Sequence, residues 1–175
     1  MGNDEQLAMD LGVPVERTAW GKWVDPERHR SQMQTFMEYA GLQRLPPEPW
    51  PEDSEEVRRL NSIVAGLFPE LNTAMSPERA DISDAFICFV GACFIEFAGA
   101  EWVDYEWFGG QNSFYDHVNP ALRFDTPDED EFTIWGLMDD MIDYNREDHE
   151  GMFSYIAAAL REDATYHEEA HRPSM

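Results

Sequence analysis

Apolar residues recur at spacings of three and four across residues 81–98, where Ile82, Phe86, Phe89, Val90, Cys93 and Phe97 mark one helical face. Cys88 and Ile95 widen that arc, which predicts burial on more than one side. Ala85, Gly91, Ala92 and Ala98 are small enough to let neighbouring elements approach closely. Ser76-Pro77 supplies a helix start, with Glu78 and Asp81 favourable at the positive end of the dipole. Gly99 stands where a left-handed terminating residue belongs. Asp84 and Glu96 interrupt the run, so it predicts the central helix of a soluble domain, not a membrane span.

After Gly99 the pattern turns to strand. Trp102, Val103, Tyr105, Trp107 and Phe108 have strand propensity, and Gly109-Gly110-Gln111-Asn112 predicts a turn. Residues 113–118 then read as the return strand of a hairpin. Alternation puts Val103, Tyr105 and Trp107 on one face; Trp102, Asp104 and Glu106 share the other, which is expected to be solvated.

The remaining pattern is mostly helical. A short helix is expected near residues 5–11, and Trp20 and Trp23 are expected to pin this N-terminal arm to the body. Asp25-Pro26 starts a helix to Ala40, with Met33, Phe36, Met37 and Ala40 inward and Gly41 ending it. Residues 45–51 are proline-rich and extended, a connector packed by Trp50. Asp53 or Ser54 caps a helix whose face is Val57, Leu60, Ile63, Val64 and Leu67, ended by Pro69. Residues 119–125 read as irregular or a short strand. Thr126-Pro127-Asp128-Glu129 fits a capping box ahead of Phe132, Trp135, Met138, Met141 and Ile142. That spacing favours a helix, with a strand at 131–137 as its rival. A last helix is expected over residues 147–169, with Met152, Phe153, Ile156, Ala159 and Leu160 inward. The whole predicts a predominantly helical α+β domain over residues 25–170, built round the central helix with a small antiparallel hairpin or sheet. Residues 1–24 form the arm and 171–175 a tail.

Charge changes the picture most. The formal net charge is −24, and residues 101–175 carry 19 acids against four bases. Such a chain repels nucleic acid and anionic membrane and attracts cationic partners. No basic stripe, P-loop, dinucleotide fingerprint or nucleophile elbow is present. Cys88 and Cys93 point in different directions on one helix, and two unbridged thiols suit a reducing cytoplasm. The first residues lack a signal-peptide core.

Three groups carry candidate chemistry. Trp102, Tyr105, Trp107 and Phe108, with Phe114 and Tyr115, crowd one hairpin beside abundant carboxylates, a composition that fits an interface for a basic protein. Asp139, Asp140 and Asp143 form either a solvated or a partner-binding helix face. Finally, His167-Glu168-Glu169-Ala170-His171 matches H-E-x-x-H, in which two histidines four apart can hold one zinc and the glutamate acts as base. Too little chain follows for a downstream third ligand, which would have to be His149 or an acid from upstream. Opportunistic zinc or nickel binding at His167 and His171 is favoured over catalysis. The acids between Asp125 and Glu131 lack the glycine and spacing of a calcium loop.

Phe94-Ile-Glu-Phe-Ala-Gly99-Ala-Glu-Trp102-Val103, an apolar helix closed by glycine and followed by Trp-Val opening a strand, resembles small bacterial immunity-type cytosolic domains. The resemblance implies a helix packed on a small sheet, with an acidic face that plugs a toxin. The leading expectation is therefore a non-enzymatic, cofactor-free inhibitor of a basic protein. A nucleic-acid mimic that blocks a DNA-binding protein is one alternative, and a metal-dependent hydrolase using His167, Glu168 and His171 is the other.

Overall fold

The computed structural model describes residues 17–51, 53–105, 113–146 and 151–174. The expected helix at 5–11, the turn at 109–112, Trp107, Phe108 and His149 lie outside the described residues. Within them the chain is a mostly helical α+β domain with a three-stranded antiparallel sheet.

The order is α1 (Ala19–Trp23), α2 (Pro26–Ala40), α3 (Glu55–Leu67), α4 (Leu71–Ala74), a 3-10 turn (Pro77–Arg79) and α5 (Ala80–Ala98). Then come β1 (Glu101–Asp104), β2 (Pro120–Arg123), β3 (Glu131–Thr133), α6 (Ile134–Arg146) and α7 (Met152–Ala170). The helix boundaries follow local chemistry. Asp25 accepts from the amides of Glu27 and Arg28 to start α2, and Ser54 accepts from Val57 N to start α3. Gly41 and Gly99 end α2 and α5 at φ 70° and 66°, a conformation that costs glycine nothing. Replacing Ser54 with alanine removes a cap and is expected to lower stability by about 1 kcal/mol in a urea titration.

Helix α5 is central, as its breadth of apolar residues predicts. It packs against α2 on one side and α7 on the other, while α7 also covers α3 and α6. Phe36, Phe86, Phe89, Phe68 and Phe153 are fully buried where these helices meet. Trp50 is buried too, its ring 5.3 Å from that of Phe153, so the proline-rich connector is held down as expected. Trp23 joins the same core and stacks on Trp20 at 5.4 Å.

The sheet departs from expectation. The partner of β1 is not 113–118 but β2, with Trp102 opposite Leu122 and Glu101 opposite Arg123. Residues 113–118 form no strand; there Tyr115 turns its hydroxyl to Asp84 on α5 instead. The face carrying Trp102 is not the solvated one either. Its indole lies on the backbone of α5 at Gly91, where a Cβ would come within 1.9 Å of the ring. Between 126 and 142 the helix and strand readings divide the segment. Phe132 belongs to β3, paired with Leu122, and α6 begins immediately after it. Thr126 caps no helix: its hydroxyl accepts from Asp130 N within a turn that holds Glu129 at φ 49°. Thr133 starts α6 instead, accepting from Gly136 N at 3.1 Å. The last helix begins at Met152, after Gly151, not at 147.

Candidate functional site

Three places bring chemically capable side chains together. The first is a buried polar knot on α5. Asp84 is 5% exposed inside an otherwise apolar helix face. Its Oδ2 accepts from Arg28 Nη2 and from Gln32 Nε2 at 2.5 Å, both on α2. Its Oδ1 accepts from Tyr115 Oη at 2.5 Å and Trp23 Nε1 at 3.3 Å. Burial alone would push the Asp84 carboxyl up, but the bonds from Arg28, Tyr115 and Gln32 outweigh it and hold the group below its ordinary range. Burial, reinforced by the same carboxylate, raises the Tyr115 phenol and pushes the Cys88 thiol up to about 12. Neither Cys88 nor the fully buried Cys93 is a thiolate at neutral pH, so neither is an activated nucleophile. The knot is structural: every strong acceptor in it is already used.

Beside the knot, Val24, His29, Met33, Cys88, Ile95 and Trp102 line an apolar cleft of about 380 Å³. Trp102 forms one wall, held edge-on to Trp23 at 4.9 Å, and Ile95 is 40% exposed at the mouth. Burial, then the Arg28 charge, lowers the pKa of His29, so its ring is neutral at pH 7.

The second place is the acidic surface. Asp125, Asp128, Glu129 and Asp130 are exposed on the turn between β2 and β3, and Asp140 and Asp143 on α6. Arg123, the base nearest the turn in sequence, is already held by Glu131 at 2.6 Å and Glu101 at 3.5 Å, one ladder across three strands. Asp139 is half-buried, and burial, with the Asp140 charge adding to it, raises the Tyr155 phenol. Tyr105 is 38% exposed just past β1, on the opposite edge of the sheet from β3 and α6. Of the expected interface, the aromatic and acidic members thus lie on different edges, and Trp107 and Phe108 lie outside the described residues.

The third place was half-visible in the sequence. His167 and His171 stand one turn apart on α7, ring centroids 4.5 Å from each other. Asp125, from the turn after β2, meets both: its Oδ2 lies 2.5 Å from His171 Nε2 and 3.6 Å from His167 Nδ1. The acid from upstream that the pair required is therefore Asp125. Its only sequence signal was membership of an acidic run, which a solvated turn explains equally well. Glu168 does not join them; it lines a separate cleft with Pro47, Pro49, Glu96, Arg161 and Thr165. Asp163, one turn before His167, is pushed up to about 6 by burial, with the charges of Glu162 and Asp130 adding to it.

No protein-family model, curated protein sequence or solved structure matches the chain. No helix among the described residues is long and apolar enough to cross a membrane.

Proposed function

We propose that the protein is a non-enzymatic, acidic binding protein that engages and blocks a basic protein partner in the manner of a toxin inhibitor. The observation that carries this reading is the exposed acid on the β2–β3 turn and α6, beside an Arg123 whose donors are already engaged. With a net charge of −24, that surface raises the encounter rate with a cationic partner over distances near the Debye length. Steering at this range needs no contact between the acids and the anchoring groups. Anchoring falls to Tyr105, Trp107 and Phe108 and to the apolar cleft walled by Trp102 and Ile95, where a partner side chain gains from desolvation. The free, buried thiols of Cys88 and Cys93 support a cytoplasmic setting.

The hydrolase reading is weaker because Glu168 lines a cleft with Pro47, Glu96 and Arg161 and is not part of the cluster that His167 and His171 form with Asp125. No grouping among the described residues favours the nucleic-acid mimic over a simpler cation-binding surface.

The test is affinity capture at low salt, identification of the retained basic protein, and stopped-flow association with the purified pair. Asp140→Lys combined with Asp143→Lys is expected to slow association at least about tenfold at low salt, with a flatter salt dependence. An unchanged association rate and salt slope would remove the reading.

A further inference from the structure

We infer that Asp125, His167 and His171 form a binding site for a divalent transition-metal cation of the zinc type. One imidazole nitrogen from each histidine and one carboxylate oxygen lie within 4.8 Å of one another. Two nitrogens and one oxygen on separate elements are a donor set that zinc, nickel and copper accept and that magnesium and calcium do not favour. The histidines come from one helix at a four-residue spacing, and the carboxylate comes from a turn 46 residues earlier in sequence, so the ion would tie α7 to the sheet.

Two features distinguish this cluster from a surface ion pair. The first is His167. Its Nδ1 is buried and makes no hydrogen bond, although a buried ring nitrogen ordinarily finds a partner. The nearest carboxylate oxygen stands 3.6 Å away, too far to bond directly but suited to a shared ion between them. The second is the seat of that ring. His167 lies against Gly99, the residue that ends α5, and a Cβ there would come within 2.4 Å of Cε1 and 2.8 Å of Nδ1. Glycine at 99 therefore both turns the helix end and leaves the space in which the imidazole is held. An imidazole packed in this way has few rotamers left, which reduces the entropy cost of ligation.

His171 Nε2 and Asp125 Oδ2 stand within hydrogen-bonding distance of each other, and a divalent cation would take the place of that contact. Opening that pair by roughly an ångström brings it, like the His167–Asp125 pair at 3.6 Å, to the donor separation of about 3.3–3.6 Å that a tetrahedral ion at about 2.0–2.2 Å requires. His171 and Asp125 are both largely exposed, so the adjustment moves only side chains that are free to move. Asp125 also lines a polar cleft of about 270 Å³ with Glu129, Glu101 and Arg123, whose own charge is met by Glu101 and Glu131. Three protein ligands leave one position open, and this cleft is where water or an exogenous ligand would occupy it. The metal inference does not rest on the proposed binding of a basic partner, although Asp125 also belongs to the acidic turn that binding would use.

The experiment is zinc titration of the chelator-stripped full chain by isothermal calorimetry, with magnesium as a control for the general attraction of so acidic a surface. His171→Gln and Asp125→Asn keep the shape of exposed side chains and should fold. His167→Ala is the third variant, read only after its circular dichroism matches the parent. The expected result is one zinc per chain, no comparable magnesium binding, and affinity reduced at least about tenfold in His171→Gln and Asp125→Asn. Asp128→Asn, on the same turn but outside the cluster, should leave the affinity unchanged. A cobalt-loaded sample should show the visible absorption of a four-coordinate site. Absence of saturable zinc binding, or binding weakened less than tenfold by both conservative variants, would overturn the inference.

Discussion

Replacing Asp84 with alanine is expected to cost about 3–5 kcal/mol, a large fraction of the roughly 5–15 kcal/mol that stabilises a typical domain. The reason is asymmetry in the knot. The Asp84 side chain is 7% exposed and is the common acceptor for four donors from α1, α2 and the segment before β2. Its loss takes the shared acceptor from a partly buried guanidinium, a part-buried phenol and a buried indole N–H at once, and leaves a cavity among them. Asp84→Asn is the sharper experiment because it keeps volume but removes the charge that opposes Arg28. It should remain clearly destabilising in urea at pH 7, while Asp128→Asn on the exposed turn stays within about 0.5 kcal/mol of the parent. The pH dependence follows from the direction of the shift. The folded-state pKa of Asp84 lies below its unfolded value, so its contribution is fully present above the ordinary carboxylate range and is lost as pH falls through the folded value. Stability curves of the parent and Asp84→Asn should therefore converge in acid. Parallel curves down to the lowest pH at which the parent folds would show that the carboxylate carries no such weight.

The knot also shows where sequence reading stopped. Asp84 stands in the densest apolar run of the chain, and a charge in that position argues against a membrane span. The same residue could equally be taken as a signal for buried partners, but its donors lie 31 to 61 residues away and nothing local names them. By contrast, α2, α3 and α5 were legible almost to the residue, because their caps and closing glycines act within one turn. The strands were not. Residues 113–118 have the propensity of a return strand, yet Tyr115 is drawn to the buried carboxylate and pairing passes to Pro120–Arg123. Segment 126–142 held two true signals that local reasoning treated as rivals; Thr133 separates them by serving as the strand's last residue and the helix's cap. At the candidate metal cluster, the two histidines were legible from their spacing, while Asp125 was one acid among several until the fold chose it.

Gly91→Ala is expected to destabilise the protein by about 2 kcal/mol, although alanine is the better helix former by about 1 kcal/mol. Gly91 is buried in the middle of α5, and its missing side chain is the floor on which Trp102 rests. A methyl group there would stand 1.9 Å from Trp102 Cζ2 and 2.8 Å from two further ring atoms, so something must shift. The indole has little room to give. Trp23 lies edge-on at 4.9 Å, His29 at 5.5 Å, and the backbone of Trp102 is fixed opposite Leu122 in the sheet. Relief therefore requires moving β1 away from α5 or driving the ring off its rotamer, and either loses apolar contact along the cleft. Gly66→Ala supplies the control on α3. Gly66 is exposed, with nothing within 4 Å of the place a methyl group would take, and the change should raise stability by up to about 1 kcal/mol from propensity alone. A double replacement, Gly91→Ala with Trp102→Leu, separates packing from other causes. If the clash is the mechanism, the smaller side chain removes it, and the double variant should be less destabilised than the sum of the two single ones. Additive losses in urea titrations would mean that the helix and the indole do not interact as their separation implies. Opposite signs for two glycine-to-alanine changes in one chain would then have to come from something other than the space each methyl finds.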